Sequence, residues 1–244
     1  INNQLYFESN DCDYWEKCAV IGSNGDHSII EGNYIEYGGN YDMDAIKGNN
    51  FSITNNIIIN NDDGWMGNYA INLEGPDNES IISGNSISTL NNGIYISGGG
   101  LTIDYNIIES GGVALEMTNY SSGKIINNTI IGIGGTDGIY IHDNSDASII
   151  NNIVSNFDDG IALESSISTL SYNDLWANDS SLVGPYVPYL SGVTNSQNAN
   201  GDPSDVYGNI FLDPDFLDGF SLSSQSPCIN AGHPDYLDEN GTPA

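Results

Sequence analysis

The sequence contains no arginine and only three lysines, Lys17, Lys47 and Lys124, against 33 acidic side chains in 244 residues. The formal net charge of -30 repels phosphate backbones and anionic headgroups, which excludes nucleic acid and anionic membranes as partners. Cysteine is scarce as well. Three are too few for a disulfide framework, although Cys12 and Cys18 enclose only five residues and can pair, which leaves Cys228 odd. No apolar run is long enough for direct membrane insertion, and no stretch reads as a secretory leader, so a soluble chain or one held by a part outside this sequence is expected. The chain opens on Ile1-Asn2-Asn3, which reads as the middle of a repeat, so a fragment of a longer processed protein is expected. P-loop, dinucleotide, zinc and serine-elbow signatures are all missing.

What the sequence has in quantity is a short phrase, aliphatic-x-x-Asn-x-aliphatic, with its asparagine at positions 33, 56, 85, 106, 128, 152 and 173. Spacings of 21 to 29 residues match one turn of a solenoid rather than a helical repeat, and no segment holds a 3.6-residue period. Three residues before each asparagine stand Ile30, Ile53, Ile82, Ile103, Ile125, Ile149 and Leu170. Two residues after stand Ile35, Ile58, Ile87, Ile108, Ile130, Val154 and Leu175. Unbroken aliphatic columns are what stacked parallel strands need in order to bury their inward side chains. Asparagine suits the tight bend because it tolerates left-handed backbone, and its amide can bond to the same residue one coil away.

A third strand per coil is read in Ala45-Ile46-Lys47, Ile71-Asn72-Leu73-Glu74, Ile94-Tyr95-Ile96-Ser97, Val113-Ala114-Leu115-Glu116, Ile139-Tyr140-Ile141-His142 and Ile161-Ala162-Leu163-Glu164. The loop between the asparagine and this strand varies most in length. From residue 28 to 175 the chain resembles the pectate-lyase-like superfamily of right-handed parallel β-helices, with the short Asn-bearing turn, three strands per coil and one variable loop. The fold expected is therefore an all-β solenoid of about seven coils. It comprises a partial N-terminal coil with a loop insertion (1–27), the β-helix coils (28–175) and an irregular C-terminal capping segment (176–244). That last segment runs from Gly208-Asn209-Ile210 to Ser226-Pro227-Cys228-Ile229-Asn230-Ala231-Gly232 and resembles the terminal segment of secreted β-helix proteins.

In superfamily enzymes the substrate groove runs over the outer face of this third strand. Taking the residue after the last inward aliphatic of each segment places Lys47, Glu74, Ser97, Glu116, His142 and Glu164 in one outward column, with Asn72, Tyr95 and Tyr140 two residues earlier. Glu74 and Glu116, or Glu116 and Glu164, then lie two coils apart with backbones separated by roughly 9.6 Å, near the upper carboxylate spacing of inverting glycosidases. In this reading Glu74, Glu116 and Glu164 with His142 are the catalytic candidates, and Tyr95, Tyr140, Asn72 and Lys47 contact substrate. Oxygen-rich loops at Asp42, Asp44, Asp62-Asp63-Gly64, Asp137-Gly138 and Asp158-Asp159-Gly160 suit Ca²⁺, with Asp62, Asp63, Asp158 and Asp159 as the candidate ligands. Asp-Gly is equally ordinary turn chemistry.

With Ca²⁺ bound, Lys47 becomes the one base for a β-elimination of the kind some β-helix lyases perform. Lyases and polygalacturonases of the superfamily hold the uronate carboxylate with Arg or Lys, which this chain nearly lacks. The polygalacturonase Gly-His-Gly and Arg-x-Lys signatures are absent too, so a neutral glycan fits better. No cofactor is required, and Ca²⁺ is the one metal considered. Six N-x-S/T sequons, at Asn50, Asn78, Asn119, Asn127, Asn178 and Asn240, permit an extracellular location. Two readings stand side by side. One is a secreted or cell-surface carbohydrate-interacting β-helix, either a polysaccharide hydrolase or a glycan-binding module. The other is a non-catalytic structural or adhesive protein with calcium-binding acidic loops, whose partners are other copies or flanking domains of a larger surface protein.

Overall fold

A coil of two dozen residues has no interior of its own, so its aliphatic side chains are buried only by their equivalents one coil above and below. The computed structural model meets this requirement as a parallel β-helix and describes residues 4–8, 18–23, 27–38, 43–60, 69–165, 167 and 169–236. Three parallel sheets form its walls. Sheet A stacks Gln4–Glu8, Tyr34–Gly38, Ile57–Asn60, Ser86–Thr89, Ile107–Ser110, Thr129–Gly132, Ile153–Ser155 and Asp174–Trp176. Sheet B stacks Cys18–Ser23, Met43–Gly48, Tyr69–Glu74, Asn92–Ser97, Leu115–Thr118, Asp137–Ile141, Asp159–Leu163 and Ser180–Val183. Sheet C stacks Ser28–Glu31, Phe51–Thr54, Ile81–Ser83, Gly100–Asp104, Ser122–Ile126, Asp146–Ile150 and Thr169–Ser171. Among the described residues no helix is long and apolar enough to cross a membrane.

Both aliphatic columns are in register from end to end. Ile30 through Leu170 align in sheet C, and Ile35 through Leu175 align in sheet A. None of these side chains is more than 6% exposed, and each contributes about 1.5–3 kcal/mol of burial.

Between sheets C and A the asparagines form a continuous ladder. The backbone N–H and the Nδ2 of each rung both donate to Oδ1 of the next, at 2.9–3.0 Å, from Asn33 through Asn56, Asn85, Asn106, Asn128 and Asn152 to Asn173. Nδ2 also reaches back to the carbonyl of the aliphatic residue one coil earlier, as from Asn56 to Ile30 and from Asn128 to Ile103. The left-handed conformation falls one residue earlier than the sequence suggested. Gly32, Asn55, Gly84, Tyr105, Asn127, Asn151, Tyr172 and Gly208 carry φ between 54° and 81°, while the ladder asparagines that follow them do not. The bend is thus made by one residue and sealed by the next.

Solenoid strands lie in the segment read as a partial N-terminal coil (1–27) and also in the segment read as a cap (176–244). Gln4–Glu8 and Cys18–Ser23 pair with the strands of the next coil, and Ser180–Val183 pairs with Asp159–Leu163. Cys12, and with it any bond to Cys18, lies outside the described residues. The C-terminal segment also supplies a rung, since Asn173 donates to Oδ1 of Asn209, 36 residues on. Ile210 then exchanges backbone bonds with Asn173 and Leu175.

Asp174 fastens the rest of this segment. It is 3% exposed, and it accepts the Leu212 N–H on Oδ1 and the Cys228 thiol on Oδ2. Burial pushes its carboxyl up to about 7, against the opposing pull of those two bonds. Burial and the Asp174 charge likewise push the Cys228 thiol up.

Two expectations follow. Asn128→Ala strips partners from Asn106 and leaves the Asn152 Oδ1 without its side-chain donor, so urea unfolding should show a loss of at least about 3 kcal/mol. For Asp174 the folded value lies above the unfolded 3.8, so its contribution to docking is complete below about pH 4 and is lost as the pH rises through about 7. Hydrogen exchange across residues 205–231, corrected for intrinsic rates, should accelerate between pH 5 and 8 in the native chain. It should lose that dependence in Asp174→Asn.

Candidate functional site

The chain enters sheet B through a column of small residues, Ala45, Ala70, Gly93, Ala114, Gly138 and Gly160, all buried. Larger side chains have no room there. A Cβ at Gly93 would lie 2.3 Å from the Ala114 carbonyl oxygen, and one at Gly138 would lie 2.3 Å from Val154 Cγ1 and 2.5 Å from the Gly160 carbonyl oxygen. This close corner sets the register of the outer face that follows.

That register corrects the sequence reading at two places. Lys47 aligns with Asn72, Tyr95, Glu116, Tyr140 and Ala162. Glu74 aligns with Ser97 and Thr118, and His142 and Glu164 continue this second column just past their strands, as the bonds from their N–H groups to the Met117 and Ile141 carbonyls show. Lys47 and Glu116 therefore each move by two residues, Lys47 because Ile46 pairs with Ile71 and not Leu73, and Glu116 because Met117, not Leu115, is the inward partner of Ile96 and Ile141. A slip of two leaves every side chain on its own face, so alternation could not reveal it. The offset of about 6.6 Å along the strand takes the Glu74–Glu116 and Glu116–Glu164 backbones to about 12 Å apart. That is wider than the direct carboxylate pair envisaged from the sequence.

The new register gathers a polar and aromatic network around Glu116. Its Oε1 lies 2.9 Å from His142 Nε2, and its Oε2 accepts the Tyr69 hydroxyl at 2.9 Å. The His142 ring stacks on Tyr140 with centroids 4.3 Å apart, and the Tyr140 hydroxyl donates to Glu164 Oε2 at 3.0 Å. On the other side of that ring Asp143 Oδ2 is 3.3 Å from Nδ1, and it also accepts the Thr118 hydroxyl. Tyr69 and Tyr95 lie with centroids 4.8 Å apart. Glu116 and His142 are 16% and 17% exposed at the side chain, which keeps the pair in contact with solvent while shielding it from competing water.

The electrostatics follow from burial among like charges. Burial, reinforced by Glu116, pushes the Tyr69 phenol up, and burial likewise raises Tyr95. Tyr140 is pushed up to about 12 by burial and by its bond to Glu164. Asp137 is raised by burial, against a hydrogen bond with Thr136, with the charges of Asp159, Glu116 and Asp158 adding to the shift.

The other expected contacts are placed differently. Asn72 is 3% exposed and donates to Asp44 Oδ2, and Asp44, itself buried, accepts the Tyr69 N–H on Oδ1. Both side chains are buried and paired with each other. Lys47 lies 3.7 Å from Glu74 Oε1, so the base considered for elimination is held in an ion pair. Tyr140 has one face against His142, and Tyr95 lies against Tyr69, so each offers at most its remaining face. Asp159 aligns with Asp137, while Asp62 and Asp63 lie outside the described residues. Among the described residues no three His, Cys, Asp or Glu side chains are grouped to hold a metal.

Sequence reasoning missed Tyr69, Asp143 and Tyr186. Tyr186 lines a polar cleft with Asp143, Asn144, Glu164 and Ser165 at the end of the network. Tyr69 lay outside every aligned segment, and Tyr186 follows the last recognisable repeat.

Three parallel sheets, an asparagine ladder and an acidic, aromatic outer wall define a solenoid of the parallel β-helix class. The chain belongs to the family described as the right handed beta helix region, whose model matches residues 63–211, in agreement with the superfamily resemblance. No curated protein and no solved structure matches it.

The small-residue corner is open to test. Gly138→Ala should cost about 1–3 kcal/mol through overpacking against Val154 and Gly160. Urea denaturation measures the loss, and a variant as stable as the parent would show that the corner does not set the register.

Proposed function

We propose that the outer face of sheet B binds a neutral polysaccharide outside the cell. The observation that carries this reading is the network of Tyr69, Tyr95, Glu116, Tyr140, His142 and Glu164, which crosses five successive strands, about 19 Å of solenoid. Its carboxylates already accept from phenol and imidazole groups, so they are positioned as acceptors for sugar hydroxyls without a bound cation. The remaining faces of Tyr95 and Tyr140, with the exposed Tyr186 beyond them, are suited to the C–H sides of pyranose rings. The scarcity of lysine and absence of arginine argue against a polyuronate ligand.

One observation favours a second reading, hydrolysis of the same glycan. Burial, with the charges of Asp159, Glu116 and Asp158 added, raises the Asp137 carboxyl, and a carboxyl raised by its surroundings is suited to protonate a leaving oxygen. The two readings share a ligand and differ in turnover.

Affinity electrophoresis through gels containing neutral or acidic polysaccharides, with and without Ca²⁺, tests the proposal. The native chain should be retarded by at least one neutral polysaccharide. Glu116→Gln and Tyr140→Ala should each weaken the retardation about tenfold while leaving the thermal midpoint within a few degrees. New reducing ends that vanish in Asp137→Asn would select hydrolysis. Unimpeded migration in every gel would overturn the carbohydrate reading and leave a stiff surface spacer.

A further inference from the structure

A second cleft lies at the far end of the solenoid, where the C-terminal segment folds back on the last turn of sheet C. Ser171 and Tyr172 form one side, Gln197 and Ser204 with Tyr207 the other, and His233 the rim, enclosing with its open mouth about 1000 Å³. Two features set it apart from an ordinary surface crease. Ser171 and Ser204 are 7% and 1% exposed, and neither Oγ has a hydrogen-bond partner. Buried hydroxyls are nearly always paired, and the hydrogen of an unpaired one turns about the Cβ–Oγ bond to donate or accept as an arriving group requires.

The walls show what kind of group would arrive. Tyr172 meets His233 edge-on at 4.9 Å, and the Tyr207 hydroxyl is anchored on the Tyr189 carbonyl, so the aromatic surfaces are fixed. His233 Nδ1 accepts the Asp235 N–H, which leaves Nε2–H as the donor of the neutral ring. Asp205, the one carboxylate in the lining, already accepts from the N–H groups of Gly192, Tyr207 and Asn209 and from the Asn209 amide. It is therefore unsuited to a cation. No lysine lines the cleft, and the overall charge repels anions.

We propose that this cleft is a binding site for a single neutral pyranose unit, with the Ser171 and Ser204 hydroxyls pairing with sugar hydroxyls between the aromatic walls. The site is independent of the sheet B reading, being built from the last coil and the C-terminal segment alone.

Saturation-transfer NMR of the full chain with the methyl glycosides of glucose, galactose, mannose and N-acetylglucosamine tests it. At least one should give a saturable signal, weakened tenfold or more in Ser171→Ala and in Ser204→Ala. Both variants should melt at or above the native temperature, because each removes an unpaired hydroxyl, and this separates lost binding from lost folding. Absence of saturable binding to all four, or binding unchanged in both serine variants, overturns the proposal. So does a signal abolished by Glu116→Gln, since that places the sugar on sheet B.

Discussion

From Asn33 to Asn209 each described coil is tied to the next by one asparagine amide. A ladder asparagine is bonded into three coils at once, to the carbonyl before it, to its own turn and to the asparagine after it. Leaving any of these groups unpaired in an interior that excludes water is costly. The consequence is geometric. The bend between sheets C and A must be the same two residues every time, one left-handed and one asparagine, and even tyrosine is pressed into the left-handed position at 105 and 172. All freedom of length is displaced to the other two connections, which border sheet B, and that is where the candidate binding face lies.

This division explains what could be read from the sequence. The inward columns of sheets C and A stand at fixed offsets from the ladder, so Ile30 to Leu170 and Ile35 to Leu175 were legible residue by residue. Sheet B begins after a loop of variable length, and its strands had to be aligned on alternation alone. Alternation has a period of two, and Val113-Ala114-Leu115-Glu116-Met117 satisfies it in two registers. The choice was settled by the corner of small residues, where Ala114 must stand beside Gly93 and Gly138, and by Met117 serving as an aliphatic. Contacts between distant segments, such as Tyr69 with Glu116 or Cys228 with Asp174, left no pattern in the sequence at all.

Charge is the second constraint. With almost no cations to pair with, the half-buried and buried carboxylates are neutralised by donors of other kinds. Glu116 uses a phenol and an imidazole, Glu164 a phenol, Asp44 an amide and a backbone N–H, and Asp205 a set of backbone N–H groups. Hydrogen-bonded carboxylates of this sort are acceptors without a neighbouring positive charge. Such a surface discriminates against anions and offers hydroxyl-bearing ligands directional partners. Both clefts share that chemistry although they are built from different parts of the chain.

The ladder also has a direction, and this accounts for how the solenoid ends. Each rung donates twice toward the C-terminus and accepts twice from the side before it, so the last rung presents two donors and needs a partner that only accepts. A further asparagine would pass the same demand onward. A carboxylate ends it, because both its oxygens accept and neither donates. Asn209 meets Asp205, which takes its N–H and its amide at 3.0–3.3 Å. They stand four positions apart in sequence, so the group that closes the ladder is supplied by the same turn that presents its final rung. The C-terminal segment is thus more than a cover laid over exposed edges: it completes the hydrogen-bonding rule that governs every coil before it.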